Sequence, residues 1–406
     1  MRHNTDIIIV GGGMAGGMLA TLLAGSGLDI TVLDAGAEPR APAGEPGLRV
    51  SALTAISEAL LRHAGAWDRM DASRRQPYHC MEVRDGDGSG ELLFRAADAG
   101  ADHLGTLVEN DAVAAALYQC CQNLPAIHWQ CHSRVQDLQR DQHGWALTLA
   151  GGERFHARLL VGADGARSMV RSRIGLPARA TDTGHVAIVA TLRTEQCHEG
   201  CARQSFLDSG PMALLPLHGD GRDVSLVWSV WPERATALMA LDDRAFAREL
   251  SLASQHWLGE LQLASARAAF PIHDLHAGEY VVDGAALIGD AAHVVHPLAG
   301  QGINLGLLDA AVLAEEMLMA REQGRDWHSL ALLQRYQRRR RGHNGTMVTA
   351  MRGFKFLFEQ RAPWLRFVRN AGMSMLDRHH LAKGMIARQA LGRFDDVPRR
   401  FLVQTE

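Results

Sequence analysis

Three short stretches carry residue types at spacings that could do chemistry. The first, IIIVGGGMAGG at residues 7–17, places Gly11-x-Gly13-x-x-Gly16 directly after a β-branched run, and Asp34 closes the next apolar run eighteen residues after Gly16. Glycines there allow a tight turn and let an anion approach the backbone N–H groups of Met14, Ala15 and Gly16 at a helix start. A carboxylate at position 34 would accept hydrogen bonds from ribose hydroxyls. An acid rather than an arginine there disfavours a 2′-phosphate. The stretch therefore predicts the ADP half of FAD or NAD rather than NADP, against a glycine turn that serves packing alone.

The second stretch, LLVGADGARSMVR at residues 159–171, ends an apolar run with Asp164-Gly165 and a short helix carrying Arg171. The third, LIGDAAHVVHPLAGQGINLG at residues 287–306, offers Gly289, Asp290, His293, His296, Pro297, Gly300, Gly302, Ile303 and Asn304. Each loop follows a strand-like run, which puts all three motifs at one sheet edge, where ligands collect in parallel sheets. A simple NAD site has no use for two further loops of this kind, whereas the longer FAD does. A loop so short of bulky side chains also lets a flat ring lie against its backbone. A helix starting near Gly302 would supply donors and partial positive charge to the anionic edge of a reduced flavin. His293 and His296 are candidates for relaying a substrate proton, or are satisfied by backbone within the loop; neither has an acid beside it in sequence. Pro297, with fixed φ, is the better candidate for shaping the space over the ring.

The elements that must position these residues are legible in outline. Strand 6–10, a glycine turn, a helix to about 26 and strand 29–34 form a βαβ unit. Residues 35–47 read as loop, helical patterns cover 53–65 and 110–122, and residues 180–270 turn β-rich. Strand, glycine loop and helix return at 285–320, followed by a basic helical end from about 330. The expected class is α/β. Segments 1–75, 100–180 and 275–330 form a nucleotide-binding domain, 76–99 and 181–274 an antiparallel substrate domain, and 331–406 a C-terminal helical region. Within GPMALLPL (210–217), Leu214 and Pro216, with Phe206 before them, either wall a substrate cavity or are plain sheet core.

Composition narrows the classes. The 406 residues hold 42 Lys and Arg against 45 acids, a net charge of −3, so no global charge favours nucleic acid. Cys80, Cys120, Cys121, Cys131, Cys197 and Cys201 show no disulfide-framework spacing and no CxxC, which predicts free thiols in a reducing cytoplasm. Cys197, His198 and Cys201 lack a second ligand pair, so no metal site is expected. The uncharged run 7–28 contains seven glycines and splits into strand and helix, unlike a membrane span or signal peptide. Four arginines at 338–341, followed by FKFLF and PWLRFVR, read as a solvated helix face or as a basic, aromatic surface for anionic lipid.

With these residues in place, the motif triplet resembles the single-component FAD-dependent aromatic hydroxylases. LRVSALTAISEALLRHAGAW, HLGTLVEN, GPMALLPL, YQRRR and LRFVRNAGM resemble the ubiquinone-biosynthesis branch, and YHCMEVRD, VATLRTE and ARQSF its bacterial 2-polyprenylphenol hydroxylases. The resemblance covers over nine tenths of the chain. It implies a Rossmann-like FAD-binding domain of glutathione-reductase type, as in para-hydroxybenzoate hydroxylase, beside a β-rich substrate domain. It implies cofactor contacts at Arg49, at Val135 and at Asp164-Gly165. Asp290 would bind the ribityl chain, and the Pro297–Asn304 loop the pyrimidine edge. It further implies NAD(P)H as a transient reductant, dioxygen as oxidant through a C4a-hydroperoxyflavin, and hydroxylation of a 2-polyprenylphenol at C5. Implied partners are the polyprenylated phenol, other ubiquinone-biosynthesis proteins, a lipid surface on the inner face of the membrane, and a second copy of the chain. The chain departs from the pattern at Thr183-Gly184-His185, where relatives often have a Tyr-x-Gln pair, and in having Asp34 for the commoner Glu. Alternatives are another aromatic or lipid substrate on the same scaffold, or a non-catalytic flavin-binding subunit. Trp228 and Trp231, in VWSVWP, do not form the halogenase string Trp-x-Trp-x-Ile-Pro.

Overall fold

The computed structural model describes residues 2–44, 46–86, 90–294, 302–359 and 397–402. The run Ile7–Val10 lies inside strand Arg2–Val10, in the middle of a mainly parallel sheet. Ile7, Ile8 and Ile9 are fully buried because the core packs on both faces of that sheet, which is why the run does not alternate with polar residues. The path of the sheet is Val281–Val282, Ala285–Leu287, Arg154–Gly162, Arg2–Val10, Ile30–Leu33, Ile127–Gln130, with the hairpin Val135–Asp141/Gly144–Leu149 joined to Arg154–Gly162. Pairing is in register at one end: Val10 faces Gly162 and Leu33, and Gly162 faces Leu287. The carboxyl ends of four parallel strands thus form one line, and each glycine motif begins where its strand stops.

The α-helices among the described residues are α1 (Met14–Leu22), α2 (Ala55–His63), α3 (Asn110–Gln122), α4 (Met169–Arg173), α5 (Pro232–Met239), α6 (Asp243–Ala253), α7 (Gly302–Glu322) and α8 (Leu330–Glu359). α1 packs against α3 and α7 in the core that surrounds the first sheet. A small sheet of Val50–Leu53, Gly105–Glu109 and Gln76–Tyr78 stands beside it.

The second sheet has nine strands, and α5 and α6 cover one of its faces. Its long strand Ala178–Thr194 pairs with Ala268–Ala277, which in turn pairs with His293–Val294. Residues 178–180, 275–277 and 293–294, expected in the nucleotide unit, therefore hydrogen-bond in the second sheet, and Gln76–Tyr78 in the small one. The boundaries differ because the strand pairing runs past the change in composition. Thr183 and Gly184 fall in an irregularity of the long strand, with Gly184 at φ +70° and His185 stacked 4.2 Å from Trp231.

Side-chain alternation settles the faces of this sheet. Leu214 is 2% exposed in the helix-side core with Trp228 and Phe246, and Pro216 is buried beside Val224 of that core. Leu214 and Pro216 are therefore core residues, not a cavity wall. Phe206 pairs with Pro211, and these, with Ala213 and Leu215, belong to the opposite face, where Phe206, Pro211, Ala213 and Leu215 are part-exposed or bordering. Gly210–Pro216 is thus offset by one residue from the expected orientation, and one residue reverses every face.

Cys80 and Cys201 are register partners on neighbouring parallel strands, 4.7 Å apart at Cα, and are joined as a disulfide. This corrects the expectation of six free thiols; a separation of 121 residues leaves no trace in local spacing. The His198 ring is engaged by Leu217 O and Gly200 N–H.

The arginine run is not one face, since successive helical residues point about 100° apart. Arg339 bridges Glu315 and Glu316 of α7, Arg340 is buried against Asp309, and Arg341 reaches Glu279. Arg338 is exposed. Two of the four, Arg339 and Arg340, fasten α8 to α7, which leaves Arg338 and Arg341 at the surface. The aromatic segment PWLRFVR lies outside the described residues. No helix among the described residues is long and apolar enough to cross a membrane.

The face assignment predicts that Leu214→Ala lowers unfolding stability by about 2–5 kcal/mol, the usual cost of truncating a buried leucine. Leu215→Ala, on the open face, should cost under about 1.5 kcal/mol. Denaturant melts of the two variants check this; equal losses would contradict the assignment.

Candidate functional site

The glycine turn after Val10 is closed on three sides and open on the fourth. Gly11 has φ +106°, and a Cβ there would stand 2.3 Å from Ala163 O; a Cβ on Gly16 would stand 2.0 Å from Gly11 O. A Cβ on Gly13 would meet nothing within 4 Å. Gly13 also caps α1 with no side chain, so the first N–H groups of the helix face that open space. This is a cradle for an anionic group. Asp34 sits at its rim, accepting from Gly12 N–H at 2.5 Å and Gly36 N–H at 2.6 Å, and a carboxylate's remaining lone pairs stay available to hydroxyls. Ser133 N–H donates to Asp34 O at 2.7 Å, which brings the start of strand Val135–Asp141, and so Val135, to this end of the site.

Arg49 is exposed just before strand Val50–Leu53, and its loop is tied down from behind. Glu109, 3% exposed, accepts from Gly47 N–H at 2.6 Å and from Arg74 Nε at 2.7 Å, while Arg74 also donates to Gly44 O at 2.9 Å. Asn110 N–H donates to Arg49 O at 3.0 Å. The other end of the strand is held by Asn304 of α7: its Nδ2 donates to Ala52 O at 2.8 Å, and its Oδ1 accepts from Thr54 N–H at 3.0 Å. The Asn304 side chain thus stitches α7 to the backbone of Val50–Leu53 and Thr54.

The Asp164 carboxylate is also turned inward. It accepts from Ser168 Oγ and from the N–H groups of Met169 and Val170, at 2.5, 2.7 and 3.0 Å, and so caps α4. Beside it Gly165, at φ +80°, has open space at its Cβ position. Arg171 then donates to Ala291 O at 2.7 Å, clamping the second motif to the third.

The third motif opens with a turn, Gly289–Ala291. Gly289 has φ +58° and packs against Gly306 of α7 and Ala15 of α1, so the turn wedges between the two helix starts. Asp290 faces the water of the cleft. Enclosure by the surrounding walls raises its carboxyl above the ordinary value, opposed by His293 and Arg49, so Arg49 and Asp290 belong to one electrostatic site.

His293 is 1% exposed, with Nε2 at 2.6 Å from Asp309 Oδ2. Its Nε2 is thus taken up by Asp309 inside the protein. The acid partner missing from its sequence neighbourhood is sixteen residues on, one helix away. His296, Pro297 and Gly300 lie outside the described residues; Gly302 and Ile303 form the first turn of α7. The residues that sequence reasoning missed are Asp309, Glu109, Arg74 and Arg340. Asp309 alone left a local signal, a single acid in the otherwise apolar INLGLLDAAVLA.

These residues fit FAD: an open cradle for a pyrophosphate at Gly13, a carboxylate at each of two hydroxyl-bearing positions, and a second helix start, α7, beside Asp290. Comparison with known proteins agrees. The family model described as "FAD binding domain" matches residues 4–351. The 3-demethoxyubiquinol 3-hydroxylase of Escherichia coli (strain K12) is 36% identical over 389 residues, covering 96% of this chain and 98% of that one. Ubiquinone hydroxylase UbiL of Rhodospirillum rubrum is 37% identical over 390 residues, covering 95% and 89%. Among solved structures, P. aeruginosa PqsL in complex with 2-aminobenzoylacetate superposes with a TM-score of 0.78 at 24% identity, covering 92% of this chain and 100% of that one. p-Nitrophenol 4-monooxygenase PnpA from Pseudomonas putida DLL-E4 gives 0.77 at 20% identity, covering 96% and 99%. At those identities the two structures share the fold. The chain belongs to the FAD-binding monooxygenases of the ubiquinone-biosynthesis hydroxylase family.

The two kinds of glycine in the cradle predict different losses. Gly16→Val should lower both the melting temperature of the apoprotein and its FAD affinity, because its Cβ collides with backbone. Gly13→Ala should leave the melt unchanged and weaken FAD binding by roughly tenfold or more, a loss of about 1.4 kcal/mol. Thermal melts with flavin fluorescence titrations check both; a Gly13→Ala protein that binds like the wild type would contradict the cradle.

Proposed function

We propose that this flavoprotein hydroxylates the aromatic ring of a polyprenylated phenol in ubiquinone biosynthesis, with NAD(P)H and dioxygen as co-substrates. The observation that carries the reading is the convergence of three motifs at the aligned carboxyl ends of the parallel strands, with strand His293–Val294 leading from the Asp290 turn straight into the second sheet. The half-open face of that sheet, with Phe206, Pro211, Ala213 and Leu215, offers a substrate an apolar wall. Bound FAD would supply the electron store and the oxygen activation that no side chain provides.

The chain's share is to hold and polarise. The start of α1 holds the pyrophosphate, Asp34 the ribose, Asp290 the ribityl hydroxyls with Arg49 beside it, and Val135 and Gly165 line the cofactor's path. The first turn of α7, Gly302 to Asn304, aims the positive end of a 21-residue helix at the ring edge that becomes anionic on reduction. An insoluble prenyl tail calls for delivery from a membrane surface or from another protein of the pathway, so a peripheral encounter on the cytoplasmic side is part of the proposal. The interior strings favour a 2-polyprenylphenol attacked at C5. A second reading, a demethoxyubiquinol ring, is favoured by the near full-length match to the E. coli relative named for that substrate.

Incubating the FAD-loaded protein with NADPH, isotope-labelled dioxygen and a short-chain 2-prenylphenol or demethoxyubiquinol tests this. One labelled oxygen on the ring of either compound is expected, and which compound reacts decides between the readings. NADPH consumption that yields only peroxide with both would overturn the proposal. Asp290→Ala is expected to fold and to retain under about a tenth of the wild-type flavin; a full complement would remove Asp290 from its role.

A further inference from the structure

Asp309 is fully buried in the apolar first half of α7. A carboxylate in such surroundings persists only if its lone pairs are matched and its charge is balanced. Both conditions are met. Oδ2 accepts from Gly289 N–H at 3.0 Å and from His293 Nε2 at 2.6 Å. Oδ1 accepts from Arg340 Nε at 2.7 Å and from Asn344 Nδ2 at 3.2 Å. Burial opposes ionisation of this carboxyl, but His293 and Arg340 outweigh it and hold it well below the ordinary carboxylate range.

The two oxygens divide the labour. One faces the cofactor turn: it fixes the N–H of Gly289, directly before Asp290, and the ring of His293, three residues after. The other faces α8, where Arg340 is itself buried and further bonded to Asn344 Oδ1 at 2.9 Å. Since a carboxylate only accepts, His293 Nε2 must carry its proton, while Nδ1 is buried with no partner among the described residues. Asp309 thus orients the ring through Nε2.

We propose that Asp309 and Arg340 are positioning residues for the cofactor turn: Asp309 holds Gly289 and His293 so that Asp290 is presented to the cleft, and Arg340 supplies the charge that lets it do so. The inference rests on the reading of Asp290 as a cofactor contact. A buried ion pair of purely structural value would change stability alone; a positioning pair changes the cofactor site, in a way that depends on charge.

Removing Arg340 makes the dependence visible. In Arg340→Met the guanidinium that balances Asp309 is gone, and the buried carboxylate loses its hold on Gly289 and His293. The other titratable groups around the cluster are Tyr280 and Tyr336, whose hydroxyls burial raises above the ordinary value, His276 on Ala268–Ala277, Arg341 beside Tyr280, and Asp290 with Arg49 on the cleft side. With Asp309 uncompensated, the turn loosens and FAD affinity falls, whereas a lysine at 340 keeps a cation beside Asp309 and keeps the turn in place.

The experiment titrates apoprotein with FAD by fluorescence, with thermal melts alongside, for the wild type, Asp290→Ala, Arg340→Lys and Arg340→Met. Arg340→Met should bind FAD roughly tenfold more weakly than the wild type. Arg340→Lys should restore most of that affinity, and Asp290→Ala should bind weakly while its melt stays that of the wild type. If Arg340→Met does not fold, Asp309→Asn/Arg340→Met, which buries neither charge, takes its place and should bind as weakly. Wild-type affinity in Arg340→Met or the double variant, alongside a weak Asp290→Ala, would overturn the positioning role. Wild-type affinity in Asp290→Ala would instead overturn the reading beneath it.

Discussion

Everything at the site hangs on one register. Because Val10, Leu33, Gly162 and Leu287 are neighbours across the first sheet, the chain leaves four strands at one level. A shift of one strand by a single residue would turn its buried side chains to the opposite face and carry its loop about 3.3 Å along the sheet. Continuous apolar runs hold the register: Ile7 to Ile9 and Leu159 to Val161 have no exposed side to offer. Each fully buried isoleucine or leucine contributes about 1.5–3 kcal/mol toward keeping that alignment.

Around this edge the protein turns its own charges inward and leaves backbone to face the cleft. Asp164 caps its own helix, Glu109 holds the loop before Arg49, Asn304 stitches α7 to Val50–Leu53, and Asp309 holds the turn before Asp290. What remains for a ligand is two helix starts, α1 and α7, with a few carboxylates and one arginine at the rim. Such a site binds an anionic, hydroxyl-rich cofactor and stabilises charge that develops later, since fixed dipoles need no reorganisation. Small residues make the convergence possible: Gly289, Gly306 and Ala15 let the turn and two helices meet at backbone distance.

What the sequence made legible follows from range. The Gly11-x-Gly13-x-x-Gly16 turn, its strand and Asp34 are local chemistry, and helix 110–122 coincides with α3. The two later motifs were legible as loops at strand ends, and the structure gathers them at one edge. Pairings across the chain were not. The sidedness of Leu214 is set by its partners on Asp223–Val230, and the bond of Cys80 to Cys201 by strand order. Arg340 was hidden inside a run that reads as a solvated face, because composition does not tell which of four successive helical residues turns inward. Asn304 lay within a motif that suggested a ligand, and its amide went to the neighbouring backbone instead.

The central claim is that this edge holds a flavin which NADPH reduces faster when a prenylated phenol is in place. The visible absorption spectrum of the freshly purified protein, followed after NADPH is added in air with and without a short-chain 2-prenylphenol, tests it most directly. The account predicts flavin bands whose bleaching accelerates with the phenol. A colourless protein that does not take up added FAD would contradict it.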